Sequence, residues 1–199
     1  MCAACAPEIS TGIETVSPST YRALVAEWAL EFYEDGDGGE PVVDWMRDDL
    51  TSLQQRSLTA ALEMVLMQQG LGVCGTEWGK QLGGALFEFR VRHDESEIAQ
   101  MFGDGGVGAR AGQRILLRVF CHAYGQKVIL LLGGYDKGAD PNARRQSKEI
   151  KVARRRLTEF EMRRSRARKL ARRGETPQSA GARPGGALDR LGGLFRRSL

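Results

Sequence analysis

The sequence predicts an α+β protein in which a twisted antiparallel sheet packs against an N-terminal helical hairpin, followed by a basic C-terminal helix. Three apolar runs rich in Val, Ile, Leu and Phe are separated by glycine-containing breaks, which is typical of consecutive antiparallel strands. They occupy residues 84–92, 115–120 and 128–137, and a shorter run at 80–82 precedes them. Upstream, apolar residues recur every three or four positions, the period of amphipathic helices.

The N-terminal third supplies a first strand and both helices. Residues 1–20 are small and polar, with two prolines, and are expected to form a disordered leader. Residues 24–33 indicate a first strand, with a helix left open because the run is short. Pro41 favours the first turn of a helix, where its missing N–H is not needed. A second helix is expected over residues 52–69, ended by Gly70.

Side chains alternate between the two faces of a strand, so the strand sequences assign residues to faces. Phe87, Phe89 and Val91 form one face and are expected to lie under the helical hairpin. The opposite face carries mostly charged side chains, namely Glu88, Arg90, Arg92, Arg114, Arg118 and His122. A sheet with arginines along one face predicts an anionic partner.

Between the second and third sheet strands lies a glycine-rich insertion at residues 94–113. It lacks the Gly-Lys-Ser/Thr ending and the strand-to-helix context of a phosphate-binding loop, so it is interpreted as a long flexible hairpin loop. The folded domain is expected over residues 21–160, with an apolar stripe on a final helix around residues 149–160. Residues 161–199 are expected to be a basic, largely disordered tail, although the basic run at 163–173 can continue the helix.

Charge is strongly segregated along the chain. Residues 144–173 hold 14 Lys and Arg against 3 Asp and Glu, a formal charge of +11, whereas residues 1–143 carry −9. A cationic arm on an acidic body favours a polyanionic partner such as nucleic acid over a merely solvated helix.

Several classes of protein are disfavoured. No apolar run reaches the roughly 18 residues of a membrane span, and the N-terminus lacks a secretory pattern, so a cytoplasmic location is expected. Cys2 and Cys5 have zinc-ligand spacing, but no second pair completes a site. Reduced thiols, no metal and no cofactor are therefore expected.

The ordered set of residues resembles the RelE/ParE toxin superfamily, and most closely its HigB-like, phage-derived branch. The resemblance spans residues 26–160, apart from the insertion. Its main features are Trp28, the Pro41-Val42 and Trp45 group, Lys80-Gln81-Leu82, the Leu86-to-Arg90 strand, Arg118-Val119-Phe120, Gly134-Tyr135-Asp136-Lys137 and the Glu149-Ile150 helix.

The resemblance implies a toxin of a type II toxin–antitoxin system, either a metal-independent endonuclease that cleaves mRNA on the ribosome or an inhibitor of DNA gyrase, with a helix-turn-helix antitoxin as partner. Gly133 stands where the family often has His, and Lys137 stands alone where the family often has two lysines. These departures favour the alternative of a non-enzymatic toxin-fold protein that inhibits a partner such as DNA gyrase, or of a domesticated RNA-binding protein. The retained Arg90, Arg118 and Lys137 favour the mRNA endonuclease, which is the leading interpretation.

Metal-independent RNA cleavage requires charge compensation at the phosphate, a general base and a general acid. Arg90 and Arg118 are predicted to clamp one phosphate, with Lys137 and Tyr135 beside them and Glu88 and His122 as base and acid. Residues expected to bind RNA are Lys80, Arg92, Arg114, Arg154 and Arg155. A cross-strand salt bridge is the alternative role of Glu88, and plain surface exposure that of His122.

Overall fold

A computed structural model describes residues 27–101 and 115–173 of the 199-residue chain. The fold is α+β, with one mixed five-stranded sheet in the order β1-β5-β4-β3-β2. The elements are β1 (Ala29–Phe32), α1 (Pro41–Asp48), α2 (Ser52–Ala61), β2 (Gly79–Gly83), β3 (Leu86–Val91), α3 (Glu95–Met101), β4 (Leu117–Tyr124), β5 (Val128–Asp136) and α4 (Ala143–Arg172).

Strands β2 to β5 form the predicted antiparallel meander, but β1 pairs with β5 in parallel at the edge of the sheet. The prediction of a wholly antiparallel sheet is therefore wrong at this edge. Two strands joined by a short hairpin must be antiparallel, whereas a long crossover connection permits parallel pairing. Almost the whole domain separates β1 from β5 in sequence, so the local sequence does not determine whether these two strands run parallel or antiparallel.

The predicted helical pair is present. Pro41 occupies the first turn of α1, and Thr51 and Gln54 form a reciprocal capping box at the start of α2. The helix continues from α2 through a π-helical stretch at Leu62–Leu66 and a last α-helical turn at Met67–Gln69. Gly70 ends it with a φ of +54°, directly beneath the Trp28 ring, where a Cβ atom would lie 1.9 Å from Trp28 Cε2.

The main hydrophobic core lies between this helical pair and the sheet, as predicted. Phe87, Phe89 and Val91 pack in one buried cluster with side chains of both helices, including Met46 and Leu58. The strand alternation therefore assigned this face correctly.

The opposite face of the sheet is not open to solvent, which corrects the prediction of an exposed cationic face. Helix α4 covers it, and a second buried cluster joins Leu86, Phe120 and Leu130 of the sheet to Ala153 and Leu157 of the helix. The apolar stripe of α4 required a surface to bury it, and this face of the sheet provides one.

The insertion begins with a helix rather than a flexible loop. Asp94 and Glu97 form reciprocal backbone-to-carboxylate hydrogen bonds at the start of α3. Ile98 is fully buried in the main core, which ties the segment to the domain. The Asp-x-x-Glu pattern at residues 94–97 is the capping-box signal in the sequence that indicates this helix. The remainder of the insertion, 102–114, lies outside the described residues.

Helix α4 runs without interruption to Arg172, so the domain boundary predicted after residue 160 falls inside a helix. The segment 161–172 is helical, so the alternative that the basic run at 163–173 continues the helix is confirmed over the disordered tail. The predicted leader and residues 174–199 lie outside the described part of the chain. No helix within the described ranges is long and apolar enough to cross a membrane.

Candidate functional site: a cationic end of the sheet

Three of the predicted site residues form a row across three strands. Arg90 of β3 lies directly opposite Arg118 of β4, and Arg118 lies directly opposite Tyr135 of β5. Directly paired residues project to the same face, so the three side chains all lie on the face covered by α4. The prediction that Arg90 and Arg118 are neighbours on one face is confirmed.

Three further cations lie around this row. Lys80 is exposed on the edge strand β2 and is paired in register with Glu88. Arg92 is exposed just after β3, and half-buried Lys137 follows β5, where its backbone N–H donates to Leu116 O at 2.8 Å. We call Lys80, Arg92 and Lys137 the rim cations. Together with Glu88 and the row they form the sheet-end cluster, which contains five cations and one carboxylate, a formal charge of +4.

Glu88 is at the centre of the cluster and is completely buried. Its Oε1 lies 3.0 Å from Nε of Arg118, although that N–H is not directed along a hydrogen bond, and its Oε2 lies 3.5 Å from Nη2 of Arg90. The alternative role of Glu88, a cross-strand salt bridge, is therefore the arrangement observed. The predicted clamp of both guanidiniums on one phosphate is not, because both already face this carboxylate.

Arg118 is also inaccessible from solvent. Its exposed fraction is 5%, and its Nη1 donates to Leu117 O at 2.9 Å. Burial lowers the pKa of Arg118, while the nearby Glu88 carboxylate acts in the opposite direction. The ion pair thus keeps a buried guanidinium charged, which is the arrangement a buried charge requires.

Tyr135 lies at the end of the row with its hydroxyl buried and without a hydrogen-bond partner in the described residues. Its ring stacks on Phe120 at a centroid distance of 6.1 Å. Burial first, and then the Glu88 carboxylate, raise the pKa of Tyr135 to about 12. The hydroxyl is therefore neutral at physiological pH and can donate a proton only weakly.

The N-terminal part of α4 closes the cluster. Gln146 Nε2 donates to Glu88 Oε1 at 3.0 Å, across 58 residues of sequence. Arg145, the residue before Gln146, forms an ion pair at 2.7 Å with Glu149, about one turn further along α4. Sequence reasoning missed Gln146, because nothing in the local pattern showed that this part of α4 would lie above Glu88.

His122 does not belong to the cluster, contrary to the prediction that it serves as general acid there. It lies four residues beyond Arg118 on the same strand, roughly 13 Å away at the rise of a β-strand. Its Nδ1 is 2.9 Å from Ala85 O, and its ring stacks on Tyr124. Alternation placed His122 on the correct face, but the residue lies four positions along β4 from Arg118 and pairs with Leu86, two positions from Glu88. His122 is also buried, so the alternative of plain surface exposure is wrong.

The remaining predicted RNA-binding residues lie in different environments. Arg154 Nη2 donates to Leu82 O at 2.8 Å and so ties α4 to the edge strand. Arg155 is exposed, with its Nε 3.8 Å from Glu159 Oε1. Arg114, Cys2 and Cys5 lie outside the described residues. Within 27–101 and 115–173, no group of three or more His, Cys, Asp and Glu side chains is arranged to hold a metal ion.

The chain matches no protein-family model and has no significant relative among curated proteins. The resemblance to RelE/ParE toxins therefore depends on the residues quoted above, and it stays a prediction.

Proposed function

We propose that the chain is the toxin of a type II toxin–antitoxin pair, with a RelE/ParE-like fold, and that it acts on RNA at the ribosome. The observation that carries this proposal is the sheet-end cluster. Residues distant in sequence converge at one end of the sheet with a formal charge of +4, and Lys80 and Arg92 project from it into solvent. Fixed positive charge at such a place is suited to the phosphates of an RNA strand.

The geometry supports binding of RNA better than its cleavage. Cleavage requires a free general base and a general acid close to the scissile phosphate. Glu88 is completely buried between two guanidiniums, and His122 lies roughly 13 Å along β4 from Arg118. We therefore assign RNA contact to the rim cations and to the exposed part of Arg90, whose side chain is 21% exposed.

Cleavage of mRNA is the second candidate, and the unpaired hydroxyl of Tyr135 favours it. A buried polar group without a partner costs about 1–3 kcal/mol, so its retention beside Arg118 suggests a use outside the closed arrangement. Cleavage requires the N-terminal part of α4 to move away from Glu88. Arg118 and Tyr135 would then both face the substrate.

A helix-turn-helix antitoxin as partner follows from the resemblance alone, as does the alternative target, DNA gyrase. Both are part of the proposal rather than of the geometry. A single induction experiment separates the targets, because cleavage, RNA binding and gyrase inhibition leave different traces in the cell.

The experiment compares three versions of the chain under an inducible promoter: the native sequence, a rim variant and a charge-matched control. The rim variant carries Lys80→Gln, Arg92→Gln and Lys137→Gln. The control carries Arg47→Gln, Arg56→Gln and Lys127→Gln, three cations at other places on the domain. Growth after induction is measured together with primer extension on cellular mRNA and with the supercoiling of a reporter plasmid.

Growth arrest by the native chain and the control, with growth restored in the rim variant, supports the proposal. Discrete mRNA ends within codons would select the cleavage candidate, whereas relaxed plasmid with intact mRNA would select gyrase. A native chain that does not slow growth, or a rim variant as toxic as the control, contradicts the proposal.

A further inference from the structure

The outer face of α4 carries a line of cations that neither the sheet nor the ion pairs of the sheet-end cluster use. The helix has 13 Lys and Arg against 3 Asp and Glu, and one further Arg follows it at position 173. Their distribution around the helix is uneven. Seven exposed cations recur at helical spacing on one side, namely Arg144, Lys148, Lys151, Arg155, Arg166, Lys169 and Arg173.

The six positions after Arg144 are offset from it by 4, 7, 11, 22, 25 and 29 residues. At about 100° per residue, such offsets confine them to an arc of about 60°, and at 1.5 Å per residue they extend over about 44 Å. We call this line the outer stripe. The body-facing side of α4, which carries Ala153, Leu157 and Phe160, lies on the other side of the helix.

Other arginines of α4 attach the helix to the body of the domain, and none of them belongs to the outer stripe. Arg156 Nη1 donates to Leu132 O at 2.7 Å. Arg163 donates to Glu34 O and lies over the Tyr33 ring, 5.2 Å from its centroid. Arg164 lies over the Tyr124 ring at 4.1 Å. Cations that stack or donate to backbone are structural here, and the helix is fixed to the body up to Arg164.

Beyond Arg164 the helix continues away from these anchors. The residues from 165 to 173 are exposed apart from Leu170, and no side-chain hydrogen bond or ion pair joins them to the described part of the body. This segment contains five cations and no acidic residue. The outer stripe therefore has one half above the sheet and one half on a projecting arm of the same rigid helix.

We propose that the outer stripe is a docking surface for double-helical RNA, with both halves contacting the phosphate backbone. The array has two halves, separated by about 16 Å between Arg155 and Arg166, and its total length of about 44 Å suits an extended, regularly charged partner such as a nucleic-acid duplex. A membrane surface fits less well, because an interfacial helix needs an apolar face to insert, and the apolar face of α4 is buried against the sheet. The choice of RNA over DNA rests on the proposed function.

The stripe differs from the sheet-end cluster in what it recognises. Its cations lie on a solvent-exposed helix surface, so they are expected to contact the phosphate backbone of the RNA with little preference for its base sequence. A structured RNA such as a ribosomal helix would hold the domain in place, while the rim cations contact a single strand.

The test measures binding of the purified full-length protein to a 20-base-pair RNA duplex by fluorescence anisotropy at several salt concentrations. Each neutralised phosphate contributes roughly 0.7–0.9 to the slope of log K against log salt. One variant carries Lys148→Gln, Lys151→Gln and Arg155→Gln, and a second carries Arg166→Gln, Lys169→Gln and Arg173→Gln. Each should lower the slope by about 2–3.

The matched control is again Arg47→Gln, Arg56→Gln and Lys127→Gln, which lowers the net charge equally and should leave the slope unchanged. Circular dichroism verifies that each variant is folded. The proposal is overturned if either half of the stripe leaves the slope within 1 of the native value, or if the control lowers it equally. It is also overturned if a DNA duplex of the same length, or an anionic vesicle, binds more tightly than the RNA.

Failure of this proposal is distinguishable from failure of the proposed function. Toxicity that depends on the rim cations can persist when the stripe variants bind RNA normally, and then only the docking surface is wrong. Stripe-dependent binding of duplex RNA in a chain that does not slow growth would instead contradict the toxin function alone.

Discussion

The Glu88→Gln substitution should destabilise the fold far more than the loss of a surface ion pair. In this variant the side-chain amide oxygen at position 88 can still accept the hydrogen bond from Gln146 Nε2, but the negative charge that faces Arg90 and Arg118 is removed. Glu88 is completely buried and Arg118 is 5% exposed, so the remaining guanidinium charge has little access to water. Breaking a buried pair by removing one partner costs about 3–5 kcal/mol.

The matched comparison is Asp48→Asn, which breaks an exposed ion pair. Asp48 Oδ1 lies 2.7 Å from Arg47 Nε, closer than the ions in the buried pair, yet both side chains are more than half exposed. Solvent screening makes the contribution of such an exposed pair small. Burial rather than distance should therefore decide which substitution is more damaging.

Denaturant unfolding measures both effects, and thermal unfolding provides a second readout. At about 2–4 °C per kcal/mol for a chain of this size, Glu88→Gln should lower Tm by about 6–20 °C. Combining it with Arg118→Met should recover stability relative to Glu88→Gln alone, because the uncompensated buried charge is then removed. A Glu88→Gln protein within about 1 kcal/mol of the native chain, or a double variant less stable than Glu88→Gln, would refute the reasoning.

Two further pairs of substitutions test the buried hydroxyl groups and the packing. Tyr135→Phe removes a buried hydroxyl without a partner and should leave stability unchanged or raise it, whereas Tyr33→Phe should cost about 1 kcal/mol because that hydroxyl donates to a carboxylate at 2.6 Å. The pKa of each tyrosine is raised from 10.0 to about 12 in the folded protein, so the free energy of unfolding should fall as pH rises from about 10 to about 12. Either variant should reduce the slope of that fall by roughly one proton, measured by denaturant unfolding at alkaline pH. Gly134→Ala would place a Cβ 2.2 Å from Trp45 Cζ3 and should destabilise by about 1–3 kcal/mol in denaturant unfolding, whereas Gly36→Ala, with nothing within 4 Å, should change little.

Local chemistry made much of the fold predictable. Pro41 and Gly70 set helix ends through their own backbone preferences, and the alternation of Phe87 and Phe89 with Glu88 assigned the faces of β3. The row of Arg90, Arg118 and Tyr135 followed from this alternation together with hairpin pairing, which fixes register over short distances.

Long-range packing made the rest unpredictable. The direction of β1 and the position of α4 over the sheet both depend on contacts between distant segments, such as Gln146 with Glu88. For the same reason the sequence did not show that α4 covers the arginine-bearing face, or that Glu88 pairs there with Arg90 and Arg118. Arg118 is itself buried in this arrangement, so Arg118→Ala is expected to destabilise the domain.

The sedimentation of purified protein with ribosomes tests the central claim most directly, namely that the sheet-end cluster contacts RNA through its rim cations. The native chain and the Arg47/Arg56/Lys127 control are expected to pellet with ribosomes at low salt and to dissociate as salt rises. The Lys80/Arg92/Lys137 variant is expected to bind at least about tenfold more weakly, with a salt dependence reduced by roughly 2–3 in slope. Equal pelleting of the rim variant and the control, or no pelleting of the native chain, would contradict the account.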